Sequence, residues 1–279
     1  AAWSRNYPRG TETVRLGHIV CQPELARTLE ALAKNGAAHL YDGPLGQLIV
    51  EHLAGLGGYL TMTDLANVAP EWKDPLSVGY RGLTVCTLPP PCEGFQFLLT
   101  LRILDGFDVA ARPPFGVEHL DLVWRAIRLA AGERIAHNTP APAQLADMLC
   151  DANVTRLRER VLDGRPIDGP TEQWLPTSAA EPTPPHHTTS FSIADREGNL
   201  VCVTQSIGSP FGSAVVVPGT GVCLNNFLYW SDVDPKSPNR SWPGAALPMC
   251  MAPTIALSGG SPVLALGTPG SYGILQTQA

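Results

Sequence analysis

Thr188 and Thr189 stand where a stretch crowded with proline gives way to alternating residues. That is a setting in which a threonine can become a nucleophile. A hydroxyl attacks poorly until a base takes its proton, and the α-amine of a chain-terminal threonine can be that base. Such an amine has a reference pKa of about 7.7–8.0, so a useful share is neutral near physiological pH. Inside an unbroken chain the same nitrogen is an amide and has no basicity. Cleavage of the preceding bond would therefore switch the site on, and here that bond is His187–Thr188. The neighbouring pair His186-His187 invites a metal or acid–base role. Consecutive residues on an extended segment point apart, which speaks against it.

The elements around this pair are legible as changes of period. Gly164 to His187 carries Pro166, Pro170, Pro176, Pro182, Pro184 and Pro185 without an apolar repeat, and reads as an exposed connector, 164–187. After it the period is two. Ser190 to Ala194 and Leu200 to Thr204 alternate as strands, with Asp195-Arg196-Glu197-Gly198-Asn199 as the turn. Further turns and strands are expected over Gly212 to Val217, Gly219-Thr220-Gly221 and Val222 to Leu224. Upstream, Pro23 opens a helix in which Leu25, Leu29 and Leu32 recur at helical spacing, with Gly36 closing it. Asp42 and Pro44 start a second, with Leu45, Leu48, Ile49, Leu53 and Leu56 inward and Gly57-Gly58 at its end. Leu76, Val78 and Tyr80 form a strand that Gly82 turns into Leu83-Thr84-Val85. Pro89-Pro90-Pro91 breaks that pair, a helix runs from Phe95 to Leu104, and another from about His119 to Ile135. Helices before the connector and strands after it suit stacked helix and sheet layers.

Composition narrows the classes of function. At 279 residues the chain can bury a large core as one domain or two. A formal charge of −6, with no basic run, argues against nucleic acid or an anionic membrane surface as a partner. No apolar stretch approaches the roughly 20 residues that span a bilayer. The seven cysteines are widely spaced, with neither a CxxC pair nor a Cys/His cluster, so no metal and no cofactor is expected. Cys202 and Cys223 lie among Val and Leu and read as buried thiols. This favours a reducing, cytoplasmic compartment, with a periplasmic or secreted location as the alternative. The chain opens Ala1-Ala2-Trp3 without an initiator Met or a signal peptide, and stops at Ala279 without a terminating feature. Both ends read as those of a fragment.

The run from Thr188 to Asn199 resembles the start of the small subunit in the γ-glutamyltransferase family, where a Thr-Thr pair opens a strand ending in Asp, followed by Gly-Asn and a second strand. The likeness continues through Val203-Thr204-Gln205-Ser206, Phe211-Gly212-Ser213, Gly219-Thr220-Gly221, Leu224-Asn225-Asn226, Ala252-Pro253-Thr254 and Gly267-Thr268-Pro269-Gly270-Ser271. Upstream, Tyr41-Asp42-Gly43-Pro44, Gly58 to Leu65, Tyr80-Arg81-Gly82, Leu88 to Pro91 and Ile103 to Asp108 look like large-subunit signatures in the same order. The resemblance implies an α+β fold, a four-layer αββα sandwich of the N-terminal-nucleophile hydrolase type. It also implies division into part of a large subunit, 1–187, and the first part of a small subunit, 188–279, that pair with each other. Thr188 would be the residue freed by autocleavage and the nucleophile. Ser206 falls where the family has a second Thr bonding that nucleophile, and keeps the hydroxyl. Gly270 and Ser271 fall where two glycines donate backbone N–H groups to the oxyanion.

The same resemblance marks departures. After Asn225-Asn226 the family has a Gln and then an acidic pair whose second member holds the substrate's α-amine; this chain has Phe227 and Trp230 at those positions. Gly208 stands where the family has an Asn contacting substrate, and Met249-Cys250 replaces a Ser-Ser pair that binds the α-carboxylate. All of these polar contacts serve one end of a γ-glutamyl group. The expectation is an autoprocessing amide hydrolase or acyltransferase with a changed acyl specificity, acting on a small-molecule amide and passing the acyl group to water or an amine. One alternative is a true γ-glutamyltransferase or glutathione hydrolase with a rebuilt pocket, whose carboxylate-binding Arg precedes this chain. Another is an unprocessed, inactive member serving as a scaffold or binding module.

Overall fold

The computed structural model describes residues 16–17, 19–167, 188–237 and 239–279. His186, His187 and most of the proline-rich connector lie outside the described residues. The described residues fall into two compact units. One comprises those up to Trp72 together with Ile207–Asn226; the other comprises those of Lys73–Ser206 and Phe227–Ala279. Each unit takes residues from both sides of position 188, so the expected subunit boundary is not a boundary of packing.

The first unit is helical. It contains α1 (Pro23–Asn35), α2 (Ala38–Tyr41), α3 (Pro44–Gly55) and α4 (Met62–Ala66). Pro23 and Pro44 sit in the first turns of their helices, where a missing N–H costs nothing. Gly36 follows α1 at φ 73°. At the start of α4, Asp64 N–H donates to Thr61 Oγ1 at 3.3 Å and Thr61 N–H donates to Asp64 Oδ2 at 2.8 Å, a reciprocal capping box. Leu45, Ile49 and Val217 form the centre of its core, with Leu32, Leu40, Leu53, Leu60, Val222 and Leu224 around them. The inward stripe of α3 differs from expectation, with Leu48 and Leu56 exposed, and Leu29 of α1 is exposed too. Helix α1 buries Glu24 and Thr28 instead, and Thr28 Oγ1–H donates to the Thr220 carbonyl at 2.8 Å. The core-facing side of α1 thus carries Thr28 and its buried hydrogen bond, with Leu29 turned to solvent. The loop residues 212–224 form turns with a single bridge, Val216 to Cys223, rather than the expected strands.

In the second unit, β1 (Leu76–Tyr80), β2 (Leu83–Thr87), β5 (Thr254–Ser258) and β6 (Ser261–Leu266) make an antiparallel sheet in the order β1-β2-β5-β6. Helices α5 (Phe95–Leu104), α6 (Val117–Ala136), α7 (Pro142–Leu149) and α8 (Asp151–Leu162) accompany it. Every residue of helix α5 except Arg102 is buried, as a largely apolar helix requires. One face puts Phe97, Leu98 and Leu101 on Val78, Val85 and Ala256 of the sheet. The other packs Leu99, Ile103 and Leu104 against Leu122, Ala126 and Ala130 of α6 and Val154, Leu157 and Val161 of α8.

A second sheet is the hairpin of β3 (Thr189–Ala194) and β4 (Leu200–Gln205), on the expected register and turn. It lies against the end of β6, where a Cβ on Gly267 would come within 2.2 Å of Ser190 Oγ. Gly267 shares strand parity with Ala265, opposite to Leu264 and its cross-strand partner Ala256, which faces α5. Helix and hairpin therefore cover opposite faces of the four-stranded sheet. The cysteines are free, but they are not uniformly buried as expected. Cys21 and Cys150 are exposed, Cys86, Cys92, Cys202 and Cys223 are half-buried, and Cys250 is buried.

Candidate active site

The hairpin sorts its residues by face. Ser190 pairs with Thr204 and Ser192 with Cys202, so small polar side chains share the face turned to Gly267. Ser190 Oγ–H donates to the Val203 carbonyl at 3.2 Å and lies 3.4 Å from Thr204 Oγ1. Cys202 Sγ–H donates to the Leu266 carbonyl at 3.0 Å. The last recorded pair toward the open end is Thr189 with Gln205. Thr188 immediately precedes that pair and Ser206 immediately follows it, so a register continued by one step would set them opposite each other on the Ser190 face. Thr188 itself is half-buried.

The loop after Gly267 carries the candidate oxyanion donors. Gly267 approaches the β3–β4 hairpin at Ser190, Cys202 and Thr204 because it has no side chain. Gly270 has φ 126° and ψ 37°, and Ser271 has φ 55° and is buried. A non-glycine residue in the left-handed region costs on the order of 1–3 kcal/mol and persists only where its surroundings hold it. The turn Ser271–Gly273 closes with Gly273 N–H donating to the Gly270 carbonyl at 2.9 Å and passes into α9 (Ile274–Thr277).

The pocket candidates separate between the units. In the first unit Gly208 and Asn226 are neighbours. Asn226 Oδ1 accepts from Ser209 N–H at 3.0 Å, its Nδ2 donates to Ser209 Oγ at 2.9 Å, and its N–H donates to the Ile207 carbonyl at 3.1 Å. Gly208 has φ 91°, and a Cβ there would fall 2.0 Å from Asn226 Oδ1. The glycine is thus matched to the amide of Asn226, and a larger residue would contest the same space.

In the second unit, Phe227 and Trp230 lie on the one-turn helix Phe227–Trp230 and meet edge to face at 5.7 Å. Trp230 is 8% exposed and stacks on Tyr272 at 5.7 Å and 28°. With Cys250, Ala252, Ile274 and Leu275 it forms an apolar cluster. Cys250 is only 1% exposed, so its thiol is part of that core. Met249 is fastened through its backbone, receiving from Glu93 N–H at 2.7 Å and donating to the Pro91 carbonyl at 2.9 Å. The thiol of Cys92 beside it is pushed up to about 11 by burial and then by the Glu93 charge, so it stays protonated and is no rival nucleophile. A cavity of ≈ 290 Å³ elsewhere in this unit, lined by residues including Phe107, Arg112, Asp121 and Arg125, contains none of the candidates.

Residues missed from the sequence surround this cluster: Glu93, Gln96, Arg134 and Tyr272. For Arg134 alone a signal existed. Arg134 continues the stripe Ala126–Ala130 at four-residue steps, so a charge sits in line with fully buried alanines.

A helical layer on a sheet, with a second sheet beyond it, is the α+β fold of N-terminal-nucleophile hydrolases. The chain belongs to the gamma-glutamyltranspeptidase family, whose model matches residues 1–279. It is 30% identical over 268 residues to the acylase ACY 1 proenzyme of Pseudomonas sp. (strain SE83), covering 95% of this chain and 47% of that protein. It is 32% identical over 265 residues to the glutathione hydrolase-like YwrD proenzyme of Bacillus subtilis (strain 168), covering 94% and 48%. Among solved structures, cephalosporin acylase from Bacillus halodurans matches with a TM-score of 0.83 and 26% identity, over 99% of this chain and 49% of that one. The chain therefore spans about half the length of the relatives it matches.

Proposed function

We propose that the protein is an autoprocessing amide hydrolase or acyltransferase that uses Thr188 as nucleophile on acyl groups lacking the charged amino-acid end of glutamate. Cleavage before Thr188 frees its α-amine, which takes the proton of its own hydroxyl as Oγ1 attacks the substrate carbonyl. The tetrahedral oxyanion receives the backbone N–H groups of Gly270 and Ser271. Collapse breaks the amide, the leaving amine takes the proton, and an ester to Thr188 remains. Water or a second amine then gives up a proton to the α-amine, attacks the ester and restores Thr188. Ser206, one register step beyond the last hairpin pair, keeps a hydroxyl beside the nucleophile.

The observation that carries the specificity is Trp230. Where a carboxylate would hold an α-ammonium, there is a nearly buried indole packed with Cys250, Ala252, Ile274 and Leu275. Its stacking on Tyr272 occupies an aromatic face that a substrate ammonium could otherwise use. A charge-assisted hydrogen bond lost here is worth about 1.5–3 kcal/mol, or roughly 10- to 100-fold in selectivity. The names of the relatives include both acylases and glutathione hydrolases at 30% and 32% identity, so relatedness does not choose between them. The test compares initial rates on γ-glutamyl-p-nitroanilide with those on p-nitroanilides of acyl groups of similar length that lack the α-amine. The acyl compounds should lead; a preference for the γ-glutamyl anilide would overturn the reading.

A further inference from the structure

Arg134 is 2% exposed, and a guanidinium removed from water must be paired. Its Nη1 donates to Glu93 Oε1 at 2.8 Å and its Nε donates to Gln96 Oε1 at 2.7 Å. Both acceptors are buried as completely. The remaining face of the guanidinium lies on an aromatic ring, with Cζ 4.5 Å from the Tyr272 centroid. Tyr272 stacks on Trp230, and Trp230 meets Phe227. Through its backbone N–H, Glu93 holds the Met249 carbonyl. The segments 227–230, 249–250 and 270–272 are thereby tied to one buried ion pair.

The tie to the last of these has chemical content. Tyr272 directly follows Ser271, the buried residue held at φ 55°, and Gly270 precedes it at φ 126°. A non-glycine backbone at that angle relaxes unless its neighbours prevent it. Tyr272, in contact with both the Arg134 guanidinium and the Trp230 indole, is the neighbour placed to prevent it. We infer that Arg134, through Tyr272, is a positioning residue for acyl transfer: it holds Gly270-Ser271 in the conformation that aims both N–H groups at one oxyanion. The same stack couples that loop to the acyl-binding wall at Trp230 and Phe227. This rests on the reading of Gly270 and Ser271 as oxyanion donors.

The test uses the matured full-length protein and the best p-nitroanilide of the acyl panel, with rates normalised to active sites counted from the pre-steady-state burst. Tyr272→Leu should lower kcat by about 100-fold, the scale of one lost oxyanion donor, with KM changed less than about threefold. Tyr272→Phe keeps the ring under the guanidinium and should recover kcat to within about threefold of wild type. Ser271→Gly added to Tyr272→Leu should restore at least about tenfold, since glycine adopts φ 55° without strain. Arg134→Met with Glu93→Gln should behave as Tyr272→Leu does; if that pair fails to fold, the Tyr272 and Ser271 variants decide. A Tyr272→Leu protein that melts earlier but turns over at the wild-type kcat per site overturns the inference, as does absence of rescue by Ser271→Gly. Thr188→Ala separates the two levels. Turnover surviving in that variant sinks the site itself, whereas a dead Thr188→Ala beside an unaffected Tyr272→Leu sinks the positioning role alone.

Discussion

The hairpin and the aromatic cluster of the second unit answer different demands with different chemistry. On the hairpin, the face toward Gly267 carries small polar groups, Ser190, Ser192, Cys202 and Thr204, and the pairing ends at Thr189 with Gln205, next to Thr188 and Ser206. At the cluster, Phe227, Trp230 and Cys250 are apolar or aromatic and pack with Ala252, Tyr272, Ile274 and Leu275. A nucleophile needs a hydroxyl at one position, and a register delivers that with little dependence on what surrounds it. A pocket needs several groups converging, and any of them can be absorbed into the core once the substrate no longer requires it. The hairpin is thus ordered by pairing along two strands, and the cluster by packing among several separate segments.

The comparison breaks most directly at Thr188. Thr188→Ala should abolish the cut before residue 188, leaving a single chain by intact mass, and reduce amide hydrolysis by at least about 10⁴-fold. Next in size is an attempt to rebuild the pocket. Trp230→Asp puts a carboxylate into an apolar cluster that is 8% exposed at this position, and should cost more than about 4 kcal/mol in denaturant unfolding without conferring γ-glutamyl turnover. A stable Trp230→Asp protein with γ-glutamyl activity would show that selection needs only one group. Smaller again is Gly267→Ala, whose new methyl would come within 2.2 Å of Ser190 Oγ. It should cost about 1–3 kcal/mol by chemical denaturation, with Ser190→Gly in the same chain recovering most of it. Additive losses in that cycle would mean the hairpin and the loop do not meet as described.

How far these features were legible depends on the range of the interaction. The hairpin was readable to within one residue at its open end because alternation and an Asp-to-Asn turn are local. Helix α5 was readable for the same reason, bounded by three prolines before it and Asp105-Gly106 after it. Leu48 was misplaced because a helical stripe predicts a face, and the faces of α1 and α3 were decided by partners far along the chain, Thr220 and Val217. Strands β5 and β6 went unread, since Ser261-Pro262 interrupts the alternation and a register shift falls at Ala256/Leu257. The hub at Arg134 joins residues 93, 96, 134 and 272, which no spacing connects.

The smallest effect separates the hairpin's register from its turn. Asp195 caps the β3–β4 turn, accepting at Oδ1 from Asn199 N–H at 2.8 Å and at Oδ2 from Asn199 Nδ2 at 2.7 Å. These bonds, the side-chain one first, hold its carboxyl below the usual carboxylate range. A group whose folded pKa is depressed adds stability that is fully present above its unfolded pKa of about 3.9 and is lost as pH falls through the folded value. Asp195→Asn should therefore flatten the acid limb of the unfolding curve below about pH 4 while leaving the neutral-pH rate of amide hydrolysis within about twofold. The carboxylate is solvent-exposed, so the change in neutral-pH stability should be small and should shrink further with added salt. If turnover at neutral pH fell with it by tenfold or more, the turn would be setting the register that brings Thr188 opposite Ser206. Attack and turn geometry would then be one device rather than two, and the hairpin would be as interdependent as the aromatic cluster it is contrasted with.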